Sequence, residues 1–129
     1  MPVEKILSPR FEVCAKVTYV EADSRPEENL FFFTYKITIK NKSAFPAQLM
    51  SRHWIITDSF GQTDEVRGAG VVGLQPKIAA GESFDYESAC PLQTSSGSMK
   101  GTFQMLATSG ETFDITVPEF YLIAPMSLH

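Results

Sequence analysis

The feature that most constrains this chain is a period of two in its apolar residues, with no competing period of 3.6. Phe11, Val13, Ala15, Val17 and Tyr19 alternate with Glu12, Cys14, Lys16 and Thr18. From Leu30 to Lys40, Phe31, Phe33, Tyr35, Ile37 and Ile39 alternate with Phe32, Thr34, Lys36, Thr38 and Lys40. Side chains of an extended chain point alternately to opposite faces, so each run reads as a strand with one apolar face. No window repeats apolar residues at i, i+3, i+4 and i+7, and Gly, Pro or Ser interrupts every helical candidate. Composition agrees: Val, Ile, Thr and the aromatics make up 41 of 129 residues, and these types suit pleated, half-buried surfaces.

Further strands are expected at Ala47–Asp58, Thr63–Arg67, Ser83–Ser88, Ser98–Ala107 and Thr112–Val117, with a short edge strand at Phe120–Ala124 after Pro118. Ser59-Phe60-Gly61-Gln62 and Ser109-Gly110-Glu111 read as turns, and residues 21–29 as a polar loop. Short strands with turn signals at this spacing define an all-β sandwich or barrel. One domain, residues 1–129, accommodates them. The ten phenylalanines are expected to fill the gap between two facing sheets.

The charge balance narrows the partners. Eleven basic against fifteen acidic residues give a net charge of −4, which argues against nucleic acid. No run approaches ~18 apolar residues, so no membrane insertion is expected. The first ten residues lack the basic and apolar regions of a signal peptide, which points to the cytoplasm. Cys14 and Cys90 are expected as two reduced, partly buried thiols rather than a bridge or zinc ligands. The order Cys14, Trp54, Cys90 imitates an antibody domain, but Trp54 comes too far after Cys14.

Gly68-Ala69-Gly70-Val71-Val72-Gly73 matches GxGxxG. That pattern holds a pyrophosphate when a helix starts behind it. Here Leu74-Gln75-Pro76-Lys77 follows, and Pro76 pushes Gln75 away from helical backbone. The glycines are therefore expected to serve tight turns, with a modest anion site beside Arg67 or Lys77 as the alternative. No cofactor is expected.

Arg52-His53-Trp54-Ile55-Ile56-Thr57-Asp58, then Gly61, then Val66–Gly73 with Gln75-Pro76, together resemble the ApaG family. So do Gly81–Tyr86, Leu92-Gln93-Thr94, Gly97–Phe103 and Pro118-Glu119-Phe120. Leu74 departs from the acidic residue usual in the family, and Ala89 from a common glycine. The resemblance implies an immunoglobulin or fibronectin type III-like sandwich of about seven to eight antiparallel strands. It implies no established enzyme activity. Bacterial members are linked to cobalt tolerance and magnesium efflux and often neighbour a diadenosine tetraphosphate hydrolase; related eukaryotic domains resemble protein-interaction modules.

Residue chemistry leads to the same expectation. His53 and His129 are the only histidines, too few for a metal centre. The serines of Thr94–Ser98 have no base spaced for them and read as a loop. Glu82, Asp85 and Glu87 read as a solvated strand face. The chain is thus expected to be a non-enzymatic module binding another protein. Its candidate surface is Arg52, His53, Arg67, Gly68, Gly70 and Gly73. The alternative is a phosphate- or nucleotide-bearing ligand at Gly68–Gly73. Strand edges after Pro118 leave a homodimer open.

Overall fold

The computed structural model describes residues 10–125. Eight strands form two antiparallel sheets. They are β1 (Phe11–Tyr19), β2 (Phe31–Asn41), β3 (Ala47–Asp58), β4 (Thr63–Ala69), β5 (Lys77–Ile78), β6 (Ser83–Leu92), β7 (Ser96–Ala107) and β8 (Thr112–Ile123). The smaller sheet has the order β1-β2-β6 and the larger β4-β3-β7-β8, with the short β5 also paired to β3. This is an all-β sandwich, as the alternation predicts, in keeping with the fibronectin type III-like form that the resemblance implies. The loop between β1 and β2 contains two single-turn 3-10 helices, Glu21–Asp23 and Pro26–Glu28. Among the described residues no helix is long and apolar enough to cross a membrane. The expectation about the first residues, and His129, lies outside the described residues.

Two register slips explain where simple alternation fails. In β3 the pairing with β7 shifts between Leu49 and Ser51. Ala47 and Leu49 point inward before the slip, and Arg52, Trp54 and Ile56 take the inner positions after it. A one-residue slip exchanges the two faces of a strand. The second slip lies between Met99 and Gly101 of β7. Across from it, β8 changes from inward Ile115 and Val117 to inward Leu122. Phe120–Ala124 is therefore not a separate edge strand. Its residues to Ile123 continue β8 through Pro118, which is tolerated because β8 pairs only with β7 and can lack that amide.

Trp54 lies at the centre of the core, 2% exposed. Tyr35, Phe103 and Phe120 meet it at ring centroid distances of 5.6, 5.8 and 5.9 Å and steep angles, the edge-to-face packing that aromatic quadrupoles favour. Gly101 stands opposite it on β7; a side chain there would run into the His53 carbonyl and the indole ring. The interior is not a phenylalanine layer. Of the ten, Phe33 and Phe103 are fully buried, whereas Phe45 and Phe60 are exposed and several others rim the core. Ile37, Ile39, Leu49, Met99 and Met105 fill the space instead.

Asn41, at the end of β2, is wholly buried. Its amide donates to the Phe45 and Ile78 carbonyls at 2.8 and 3.0 Å. Its oxygen accepts from the Ser43 amide and hydroxyl. One side chain thus ties the β2–β3 loop to β5. Asn41→Ala leaves these buried groups unpaired and is expected to lower stability by about 2–3 kcal/mol in urea unfolding.

Both cysteines are free, but they differ in burial: Cys90 is buried and Cys14 is exposed, contrary to the expected pair of partly buried thiols. Cys14 alternates onto the outer face of β1, a margin strand with no strand beyond it. Burial, with a smaller contribution from Asp64, pushes the Cys90 thiol up to about 11. At neutral pH a disulfide reagent is expected to titrate Cys14 in the native protein and Cys90 only after unfolding. Folding raises the Cys90 pKa, so its contribution to stability is complete below the unfolded thiol's ~8.5. That contribution falls as pH rises from there towards about 11.

Candidate functional site

All six candidate residues come to one corner of the larger sheet. In the β3–β4 pairing Arg52 stands opposite Gly68, and His53 opposite Arg67. Gly70 and Gly73 follow in the hairpin beyond β4. Alternation divides the group between two faces, and the slip at Met50 sets its phase: Arg52 turns inward, and His53 and Arg67 turn outward.

Arg52 holds the hairpin. Its Nη1 donates to the Ala69 and Gly70 carbonyls at 3.1 and 2.9 Å. Gly68 makes room for this, since a side chain there would meet the guanidinium at 2.9–3.0 Å. At Gly70, φ is +63°, and a side chain would collide with the Leu74 carbonyl. Val71 and Leu74 exchange two backbone hydrogen bonds of 2.8 Å. Between them, Val72 and Gly73 have φ of +43° and +80°, the pattern of a type I′ turn. The Gly70 amide donates to the Met50 carbonyl at 2.9 Å. Gln75 Nε2 also donates there, at 2.9 Å. The glycines therefore build a tight turn, as expected. The chain behind them leads to the two-residue β5, not to a helix. The amides of Gly70, Val71 and Leu74 are all engaged within the protein.

Val72 is the unusual member. A β-branched residue in left-handed backbone is strained by roughly 1–3 kcal/mol. Its neighbour Val71 is completely buried, which anchors the turn and forces Val72 to the tip. Val72 and Leu74 are each 52% exposed.

On the outer face, His53 Nε2 donates to Glu65 Oε1 at 2.8 Å, and Arg67 Nη2 donates to the same oxygen at 3.2 Å. A groove of ≈290 Å³ beside them is lined by Ser51, His53, Arg67, Gln104 and Asp114. The hydrogen bond from His53, followed by that from Arg67, holds the Glu65 carboxyl below the usual carboxylate range. Glu65 was not among the sequence candidates. Its signal was its place two residues before Arg67, on the same face of β4. The stabilisation from this lowered value is present above the unfolded carboxyl pKa and is lost as pH falls through the folded one. In His53→Ala the Glu65 carboxyl, followed by NMR, is expected to titrate at higher pH than in the wild type.

Alternation also misses a second groove, of ≈610 Å³, lined by Glu28, Ile56, Asp58, Asp64, Leu92 and Gln93 among others. It joins residues of both sheets that lie far apart in sequence. Asp58 is already used there: its Oδ1 accepts the Phe60 and Gln62 amides, both at 2.9 Å. Among the described residues no three His, Cys, Asp or Glu side chains group in a way that could hold a metal ion. The serine segment is only partly a loop, since Ser96–Ser98 begin β7. Thr94 is buried, accepts the Ser59 amide at 3.1 Å and donates to the Ser96 carbonyl at 2.7 Å.

Fold and site together define an antiparallel β-sandwich carrying a rigid, arginine-braced hairpin at one margin of its larger sheet. The chain belongs to the ApaG domain family, whose model matches residues 21–107. It is 59% identical to Protein ApaG of Bdellovibrio bacteriovorus over 127 residues, covering 98% of this chain and all of that one. It is 50% identical to Protein ApaG of Ectopseudomonas mendocina over 123 residues, covering 94% and 98%. Among solved structures it resembles the structural-genomics target SoR45, with a TM-score of 0.89, 43% identity and coverage of 95% and 93%. A Bordetella pertussis structure described as an ApaA protein gives 0.87, 43%, 91% and 95%.

Proposed function

We propose that the chain is a non-enzymatic module that binds another protein through the tip of the Val71–Leu74 hairpin. The observation that carries this reading is a rigid turn with two large apolar side chains held in solvent. Val72 and Leu74 sit half-exposed on a hairpin that Arg52, Gln75 and the buried Val71 prevent from collapsing. Apolar side chains on a turn already held in one conformation bind a partner at low cost, because little freedom remains to be lost on association. Of the six expected residues, Arg52, Gly68, Gly70 and Gly73 then serve to shape the hairpin, and His53 and Arg67 flank it on the outer face.

In this reading a link to cobalt tolerance and magnesium efflux, as in the family, is indirect and runs through the protein partner. The module works in the cytoplasm, where Cys14 and Cys90 stay reduced. A phosphate ligand at Gly68–Gly73 has less support, because the hairpin amides are already bonded and the Arg52 guanidinium faces carbonyl oxygens.

Val72→Asn separates binding from folding. Asn tolerates left-handed backbone better than Val, so the variant is expected to be about 0.5–1 kcal/mol more stable. It removes an apolar anchor, so a partner captured from lysate by the wild type and identified by mass spectrometry should be lost. Equal capture by both proteins, or no reproducible partner for the wild type at any salt concentration, would overturn the proposal.

A further inference from the structure

We infer that the chain forms a two-fold dimer by pairing β4 with β4 of a second copy, in a register centred on Val66. β4 is a margin strand of the larger sheet, paired only with β3 along its length. Its hydrogen-bonding parity follows from the two ends of that pairing. The Asp58 amide donates to the Gln62 carbonyl, and the Gly70 amide to the Met50 carbonyl. Even-numbered residues therefore turn their backbone groups towards β3. Thr63, Glu65 and Arg67 present theirs to the open side, as a strand template.

Charge selects one register. A two-fold axis at Val66 sets Glu65 of each copy opposite Arg67 of the other, and both lie on the outward-bonding parity. Centring on Asp64, Glu65 or Arg67 sets that residue against its own copy, like charge on like. Centring on Gly68 carries Glu65 past the end of the second strand. Opposite charges directly across an antiparallel pair stabilise it, and like charges oppose it. Glu65 retains the means to pair: His53 and Arg67 of its own chain both use Oε1, and Oε2 has no protein partner among the described residues.

The inner face fits the same register. Val66, 37% exposed, would pack on Val66 of the second copy. Asp64 would face Gly68 of that copy, where the missing side chain leaves the Arg52 guanidinium in place. An isologous contact thus gains a charge match on each face. The Phe120–Ala124 segment after Pro118, the edge suggested by the sequence, is not the one used.

Sedimentation of the intact 14.3 kDa chain against concentration, together with a charge swap, tests this. The wild type is expected to dimerise. Arg67→Glu should weaken dimerisation by ~10-fold or more, and Glu65→Arg combined with Arg67→Glu should restore it. Val66→Cys in a Cys14→Ser background should cross-link as a dimer under mild oxidation, because residues on the axis face each other closely. Three results would each overturn the proposal: a wild type that stays monomeric at millimolar concentration, a double variant no better than Arg67→Glu, or a Val66→Cys, Cys14→Ser variant that forms no cross-linked dimer under oxidation. Val72→Asn should dimerise like the wild type, so loss of partner capture and loss of self-pairing are read separately.

Discussion

Inserting one residue, Met50, into the β3–β7 pairing reverses the facing of everything that follows in β3. Trp54 then points into the core instead of solvent, and Arg52 comes round to the same side. The consequences spread by contact. An inward indole needs a bare backbone across from it, which Gly101 supplies. An inward guanidinium needs acceptors, and the Ala69 and Gly70 carbonyls provide them. Those acceptors lie at the end of β4, so the hairpin beyond β4 inherits its position from a slip on the neighbouring strand. A bulge is usually regarded as a local irregularity, but here it aligns the centre of the core with the margin of the sheet.

The fold was legible because alternation is a direct physical consequence of extended backbone. β1 and β3 have the limits that the sequence pattern predicts, and the absence of a helix behind Gly73 follows from Pro76. What could not be read depends on pairing across strands. Leu49, Trp54 and Ile56 are apolar members of one strand that differ in parity, and that mismatch is the visible trace of the slip. β5, with two residues, is too short to alternate at all. Pro118 looked like a strand boundary because the sequence does not say that β8 lies at a sheet margin, where a missing amide costs little. The distribution of phenylalanine was illegible for a similar reason. A large apolar residue reads as core from sequence, and seven of the ten Phe do lie in the core or pack against it, but the sequence does not say which are fully enclosed.

The candidate site was legible in its members but not in their roles. Arg52, His53, Arg67 and the glycines do gather, because register places two of the pairs directly across from each other. Alternation alone separates His53 from Arg52 and Trp54; what it does not give is the pair of carbonyls that the inward Arg52 meets. Glu65 completes the outer network and belongs to no motif, and Val72, which carries the strain, stands at a position that GxGxxG leaves unspecified.

The hairpin also shows why a GxGxxG string is not by itself a phosphate site. In a nucleotide-binding turn the glycines let successive amides converge on one point, and the helix behind them adds further donors. In the type I′ hairpin the same residue types do the reverse. The amides of Val71 and Leu74 are consumed across the turn, and that of Gly70 binds the adjacent strand. The groups that converge are carbonyl oxygens, and what they converge on is a cation belonging to the protein. An anion approaching from that side would have to displace Arg52 from two acceptors and would leave the buried Gly70 carbonyl unpaired, a cost of about 1–3 kcal/mol. The polarity of the loop is thus fixed by the strand that precedes it, and an apolar partner at the tip asks nothing of those bonds.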